Sequence, residues 1–428
     1  MSLHPQPLPA IPEETARVAH AAFPRDNIYL RMRDEFGAIF ADDDFADLFP
    51  SRGQPAEAPW RLALVTILQY VEDLSDRQAA DAVRSRIDWK YLLSLELTDG
   101  GFDSTVLSEF RTRLVVGAAE QRLLEALLAI CRERKWLKAR GRQRTDATHV
   151  LARVRAVNRL ECVGETLRHA LNSLAVAAPE WVQAHCPAEW IERYGRRVDD
   201  YHLPKKKEER QAYAEVIGAD GHALLAAIYA LQAPGWLRQI PAVETLRRVW
   251  VQQFYLESGR VHWRTEKEGL PPSVFLISSP YDVEAHYAKK HTTSWVGYKV
   301  HVTETCDDQT PHLITHVETT AGPVADGEAT PRIHQALERK GLLPYLHIVD
   351  TGYLDAELLV TSQRDYGVEL LGPTRADYRW QAQAAKGFDA SHFQIAWEQQ
   401  QAICPNGCMN SSWTPAIDSR TNEVVKIK

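Results

Sequence analysis

The sequence predicts an α/β protein in which an all-α N-terminal domain precedes a mixed sheet interrupted by a large helical insertion. Three observations carry this expectation. Apolar residues recur at threes and fours from about residue 26 to 138. At 142–152 the period changes to two, with Arg144, Asp146, Thr148 and Val150 on one face and Thr145, Ala147, His149 and Leu151 on the other. Beyond residue 295 strands alternate with helices, an order that demands parallel neighbours and right-handed crossovers.

Residues 1–25 contain five prolines and little periodicity, and read as a mobile arm. The helical domain, 26–138, follows with Leu62, Leu64, Ile67, Leu68 and Val71, then Ala79, Ala80 and Val83, then Tyr91, Leu92 and Leu95 at helical spacing. Ser75 is an N-cap for a helix starting at Asp76, and Asp103 or Ser104 caps one running through Phe110 and Leu114. The stretch from Leu74 to Leu97 reads as a helix, a turn and a second helix, with Arg77, Arg84, Arg86 and Lys90 exposed by period. Such pairs can place one helix in a DNA major groove, and they also occur as plain packed helices.

The second domain is expected over 139–428. Its first strand carries Asp146 and lacks a neighbour in sequence, because helical segments broken at Pro179, Pro187, Pro204, Gly218 and Pro234 fill about 153–258. That block reads as an insertion into a sheet that resumes later. Trp295–Thr303 and His312–Thr320 alternate and make a hairpin around Cys306–Pro311. A helix with Thr330 as N-cap, Pro331 in its first turn and Gly341 as its stop comes next. The strand Tyr345–Asp350, a helix from Asp355 to about Arg364 and a short strand Val368–Leu371 complete the order.

Composition bounds the function. With 45% hydrophobic and 25% charged residues the 428-residue chain is an ordinary globular protein of two to three domains. It shows no run of 18 apolar residues and no secretory leader, so no membrane association and a cytoplasmic location are expected. Six scattered cysteines fit reduced thiols. The net charge is -7, yet Cys131–Arg168 holds eleven Lys and Arg against four Asp and Glu. That basic stretch is either a solvated helical face or a phosphate-contacting surface beside Asp146.

The chemistry centres on HIVDTGYLD, 347–355, where an apolar strand ends in Asp350. In α/β sheets, sites lie at strand ends where the chain order switches. Were the Asp146 strand to lie beside the Asp350 strand, both carboxylates would reach one place, and a divalent cation would relieve their repulsion. Mg²⁺ is held by one or two carboxylates plus substrate phosphates, and a metal pair activates an attacking water or hydroxyl for phosphodiester cleavage. The plainer alternative pairs Asp146 with Arg144 or His149 and leaves Asp350 to start a turn. No GxSxG nucleophile elbow and no GxxxxGK[ST] phosphate loop is present.

The segments TDATHV, SPYDVEAHYAKKHTTSWVGYKVHVTETC, HIVDTGYLDAELL and CPNGCMNSSWTPAID resemble, in order and spacing, bacterial insertion-sequence transposases of the DDE type, in particular the insertion-sequence family eleven-eighty-two. APWRLALVTILQYVEDLSDRQAADAVRSRIDWKYLL is similar to that group's N-terminal domain, so the resemblance runs from about residue 58 to the end. It implies an RNase H-like catalytic fold with Asp146 and Asp350 as first and second acids and metal ligands. It also implies Mg²⁺ or Mn²⁺ as cofactor, the element's terminal inverted repeats as DNA partner, and action as a homodimer. Lys289, Lys290, Trp295 and Lys299 become candidate DNA contacts; the alternative is a strand that merely alternates. The group's third acid, a Glu on a helix after the fifth strand, is not found. Glu398 and Glu423 stand in the wrong context, and Cys404 and Cys408 form half of a cysteine cluster, so a C-terminal truncation is expected, and with it a catalysis severely impaired, or lost, for want of the third metal ligand. Two rival functions follow from these residues: a DNA-binding regulator without catalysis, and a metal-dependent phosphoesterase acting on small substrates.

Overall fold

A computed structural model describes the chain except residues 153–157, 266, 291, 375–378, 385–386, 388 and 418–422. It divides into two compact units, Met1–Leu371 and Gly372–Lys428.

Among the described residues before β1, regular structure is helical: α1 (Glu13–Ala22), α2 (Ile28–Phe36), α3 (Pro59–Val71), α4 (Asp76–Ser85), α5 (Ile87–Leu92), α6 (Thr105–Val116) and α7 (Arg122–Glu133). Helix α3 starts on a proline that needs no amide partner there, and it buries Trp60, Leu62, Leu64, Val65 and Leu68 on several sides, as a central helix must. Ser75 caps α4 through a reciprocal pair with Gln78. Asp103 accepts the Thr105 amide at 2.9 Å and so opens α6. Helices α3 to α6 close on one core with Trp89, Leu107 and Phe110.

Strand β1 (Arg142–Leu151) follows, then α8 (Arg159–Ala177), α9 (Pro179–His185), α10 (Glu189–Tyr194), α11 (Lys207–Tyr229) and α12 (Pro241–Gln253). The first residues of the expected insertion, 153–157, lie outside the described residues. Val163, Leu167, Ile217, Leu246 and Trp250 give the insertion its own core. It does not end in helix as expected. Residues 254–257 are strand β2 (Phe254–Glu257), paired with β3 (Arg260–Trp263). Ser258 at φ 51° and Gly259 at φ 75° form the two-residue turn, whose two left-handed positions match the twist of a tight hairpin.

The main sheet is completed by β4 (His286–Lys290), β5 (Thr293–Thr305), β6 (Ile314–Ala321), β7 (Leu346–Val349) and β8 (Glu369–Leu371), with α13 (Asp326–Arg339) before β7 and α14 (Ala356–Tyr366) after it. Strands run β5-β1-β7-β8, with β1, β7 and β8 parallel and β5 antiparallel to β1. Gly297 pairs with Leu151 on one side and His286 on the other, while Tyr298 pairs with Ala321. Hence β4 and β6 lie end to end along the same outer edge of β5. The expected 295–303 and 312–320 hairpin is β5–β6, and β4 is an added strand that periodicity does not predict. Helix α13 begins one turn before the expected cap, at Asp326, so Thr330 and Pro331 lie inside it. The Ala325 amide donates to Glu328 Oε1, which supplies the start that a Ser or Thr cap would otherwise provide.

Ile333 and Leu337 of α13 and Leu128 of α7 pack with Val349, Leu370 and Ala147 on one face of the sheet. The opposite face bears Arg144, Asp146 and Thr148, all exposed. In the second unit β9 (Gln394–Ala396) pairs with β10 (Gln401–Ile403) and β11 (Trp413–Ile417) with β12 (Glu423–Ile427).

Candidate active site

Strand alternation sets the site. Thr145 and Thr303 point into the α13 side and share a 2.7 Å hydroxyl contact, so Asp146, one residue on, points out of the other face. The last ladder pair between β1 and β7 is Thr145 with Val349. One step further in that register come Asp146 and Asp350, and adjacent strands are about 4.8 Å apart. Asp350 keeps extended backbone angles, φ -79° and ψ 172°, so its side chain continues the alternation onto the face of Asp146. Both residues are exposed.

One oxygen of each carboxylate is held by backbone. Asp146 Oδ1 accepts the Ala147 amide and Asp350 Oδ1 accepts the Gly352 amide, both at 2.7 Å. Asp350 therefore starts the Thr351–Tyr353 turn, as the plainer sequence reading has it. The alternative partners of Asp146 are engaged elsewhere. Arg144 is paired with Glu304, and the His149 ring lies 4.9 Å from that of Trp295. Among the described residues neither aspartate makes an ion pair.

Beneath this pair the Tyr353 phenol is 1% exposed and bonds His301 Nδ1 at 2.5 Å. Burial pushes its pKa well up, and the negative charges of Asp326, Asp146 and Asp350 add to the shift. Three carboxylates thus lie within electrostatic reach of one buried phenol. The third, Asp326, does not stand out in the sequence; only its place in the first turn of α13 marks it. A second group that the sequence conceals is the buried pair His334 and His347, joined at 2.9 Å between Nε2 and Nδ1, with His347 Nε2 on Thr145 Oγ1 at 2.6 Å. Burial lowers the pKa of His334 to about 4 and, with His334 beside it, that of His347 to about 3.

Two hard carboxylates, each with a second oxygen to offer, suit a cation such as Mg²⁺ that keeps water or phosphate in its remaining positions. Among the described residues no group of three or more His, Cys, Asp or Glu side chains is placed to hold a metal ion. Cys404 and Cys408 sit at the tip of a turn in the second unit, where backbone amides of Cys408 and Asn406 draw the Cys404 thiol below its ordinary pKa. Glu398 and Glu423 also belong to that unit.

The basic residues expected to meet DNA fall into two groups. Arg77, Arg84, Lys289 and Lys290 are exposed, Arg84 in an exposed ion pair with Asp81 at 3.0 Å and the two lysines at the end of β4. Lys90, expected on the surface, is 2% exposed, because α5 is a six-residue helix buried on most sides and its ammonium bonds the carbonyls of Glu96 and Asp99. Arg86 is held by Glu72 and Asp88. Trp295 is buried, and Lys299 is paired with Asp326 at 2.7 Å.

Residues 17–113 match the family model described as Transposase domain (DUF772). The match spans the helices from within α1 to within α6 and ends before β1. No curated protein and no solved structure matches the chain. The match supports a transposase role, and no helix among the described residues is long and apolar enough to cross a membrane.

Proposed function

We propose that the chain is a DNA transposase of the DDE type, with an RNase H-like sheet on which Asp146 and Asp350 share a Mg²⁺ or Mn²⁺ site. The observation that supports this reading is the β1–β7 register, whose last pair, Thr145 with Val349, directly precedes the two exposed aspartates. The transposase-domain match over residues 17–113 supports the DNA partner, and the strand order with β5 antiparallel and β7 and β8 parallel to β1 suits an RNase H-like sheet.

Each residue has a part. The Ala147 and Gly352 amides fix one oxygen of each carboxylate, which leaves the other to bind a cation at little further ordering cost. Asp146 and Asp350 would hold a divalent metal there, which would supply activation of an attacking water or 3′ hydroxyl and stabilisation of the leaving oxygen. Arg77, Arg84, Lys289 and Lys290 are the exposed cations offered to the phosphate backbone of the element's inverted repeats, and the acting species is a homodimer on paired ends. The test is incubation of the purified chain with supercoiled DNA carrying the element ends and Mn²⁺. Nicking that D146N and D350N each abolish supports the reading. DNA bound but not nicked would replace it with a regulator, and hydrolysis of small phosphate esters without DNA binding would replace it with a phosphoesterase.

A further inference from the structure

Lys299 stands on the middle of β5 and reaches across to the start of α13. Its ammonium donates to the Val324 carbonyl and to Asp326 Oδ1. The side chains are 16% and 13% exposed, so this is a largely buried ion pair and not a surface contact. The other Asp326 oxygen points at the turn that carries Asp350. It lies 2.9 Å from where a Cβ on Gly352 would sit, and Asp350 Oδ1 lies 3.0 Å from the same point. The nearest oxygens of the two carboxylates are therefore no more than about 6 Å apart.

Two carboxylates at that separation repel, and Asp146 adds a third charge from β1. Lys299 is the cation that touches one of them. We propose that Lys299 is a positioning residue for Asp350: by neutralising Asp326 it keeps the 350–353 turn in the geometry that aims the Asp350 carboxylate outward. The backbone contacts fit this role. Gly327 approaches the Gly352 carbonyl, and Thr330 Oγ1 donates to the Tyr353 carbonyl, so the start of α13 is joined to the Asp350 turn by direct contacts. The positioning stands on geometry alone, and its importance for catalysis rests on the reading of Asp350 as a metal ligand.

Amide hydrogen exchange on the full, metal-free chain tests it. K299M leaves Asp326 uncompensated, and exchange at the Gly352 and Tyr353 amides should quicken on the order of tenfold, while K299R keeps it slow. In K299M/D326N both charges are gone, and exchange should return towards the native rate, which a merely steric role would not produce. Unchanged exchange in K299M, or a double variant as loose as the single, overturns the proposal. If K299M fails to fold, the same comparison runs between K299R and the double variant, and a double variant that is folded but fast-exchanging overturns it. Failure of the native chain to bind Mn²⁺ would contradict the metal reading and leave the exchange result to judge the positioning.

Discussion

At the scale of single residues, function and stability separate cleanly. Asp146 and Asp350 are exposed and hold neighbouring amides, so D146N and D350N should leave the melting temperature close to native. Both should lower nicking about a hundredfold or more, since loss of even an outer partner of a metal ligand costs ~10–100-fold. The His334–His347 pair behaves in the opposite way. Burial depresses both pKa values from 6.5, to about 4 and about 3, so the folded state prefers the neutral rings. Their contribution to stability is complete above pH 6.5 and is lost as pH falls from there towards 4 and 3. Thermal melts between pH 7 and 4 should show this decline, and a variant replacing both rings by Gln should show a shallower one. Among the described residues His334 Nδ1 has no hydrogen-bond partner, so the pair carries an unsatisfied polar atom on the covered side of the sheet even at neutral pH.

At the scale of elements, α13 does two jobs: its inward row closes the core under the sheet and its first turn abuts the Asp350 turn. Leu337 is fully buried, and L337A should cost about 2–5 kcal/mol in a denaturant titration. The β1–β5 ladder depends on Gly297, which adopts φ 151° and has the Val150 carbonyl 2.2 Å from where a Cβ would sit. G297A should therefore destabilise the far end of β1, read as faster exchange of the Val150 and Leu151 amides with smaller change at Thr145. Element length explains which strands are hidden in the sequence. Period two reveals β1, β5 and β6 because each is long enough, at eight to thirteen residues, to show several alternations. The five-residue β4 and the β2–β3 hairpin offer too few alternations to stand out beside long helices, although Ser258–Gly259 is a readable turn. Thr330–Pro331 resembles a helix start, and the true start at Asp326 lacks a capping hydroxyl.

At the scale of the molecule, the order strand, insertion, hairpin, helix, strand, helix, strand is legible because each segment carries its own period. The pairing of β1 with β7 follows only from chemistry, since nothing local says which strands are neighbours across some 200 residues. The exposure of basic residues is less legible: periodicity marks the polar face of a helix, and a short helix such as α5 is buried on that face too, which is how Lys90 comes to sit inside. DNA binding should follow the exposed set. Charge removal at Arg77, Arg84, Lys289 or Lys290 should weaken binding to all sequences alike and lower the slope of log affinity against log salt by about 0.9 for each phosphate no longer neutralised, whereas K90M should act through stability. The central claim, that Asp146 and Asp350 serve one cation, is tested most directly by titrating the native chain, D146N and D350N with Mn²⁺ and following the free ion by electron paramagnetic resonance. The account expects one class of site in the native chain, weakened by either substitution; affinity unchanged in either variant would contradict it.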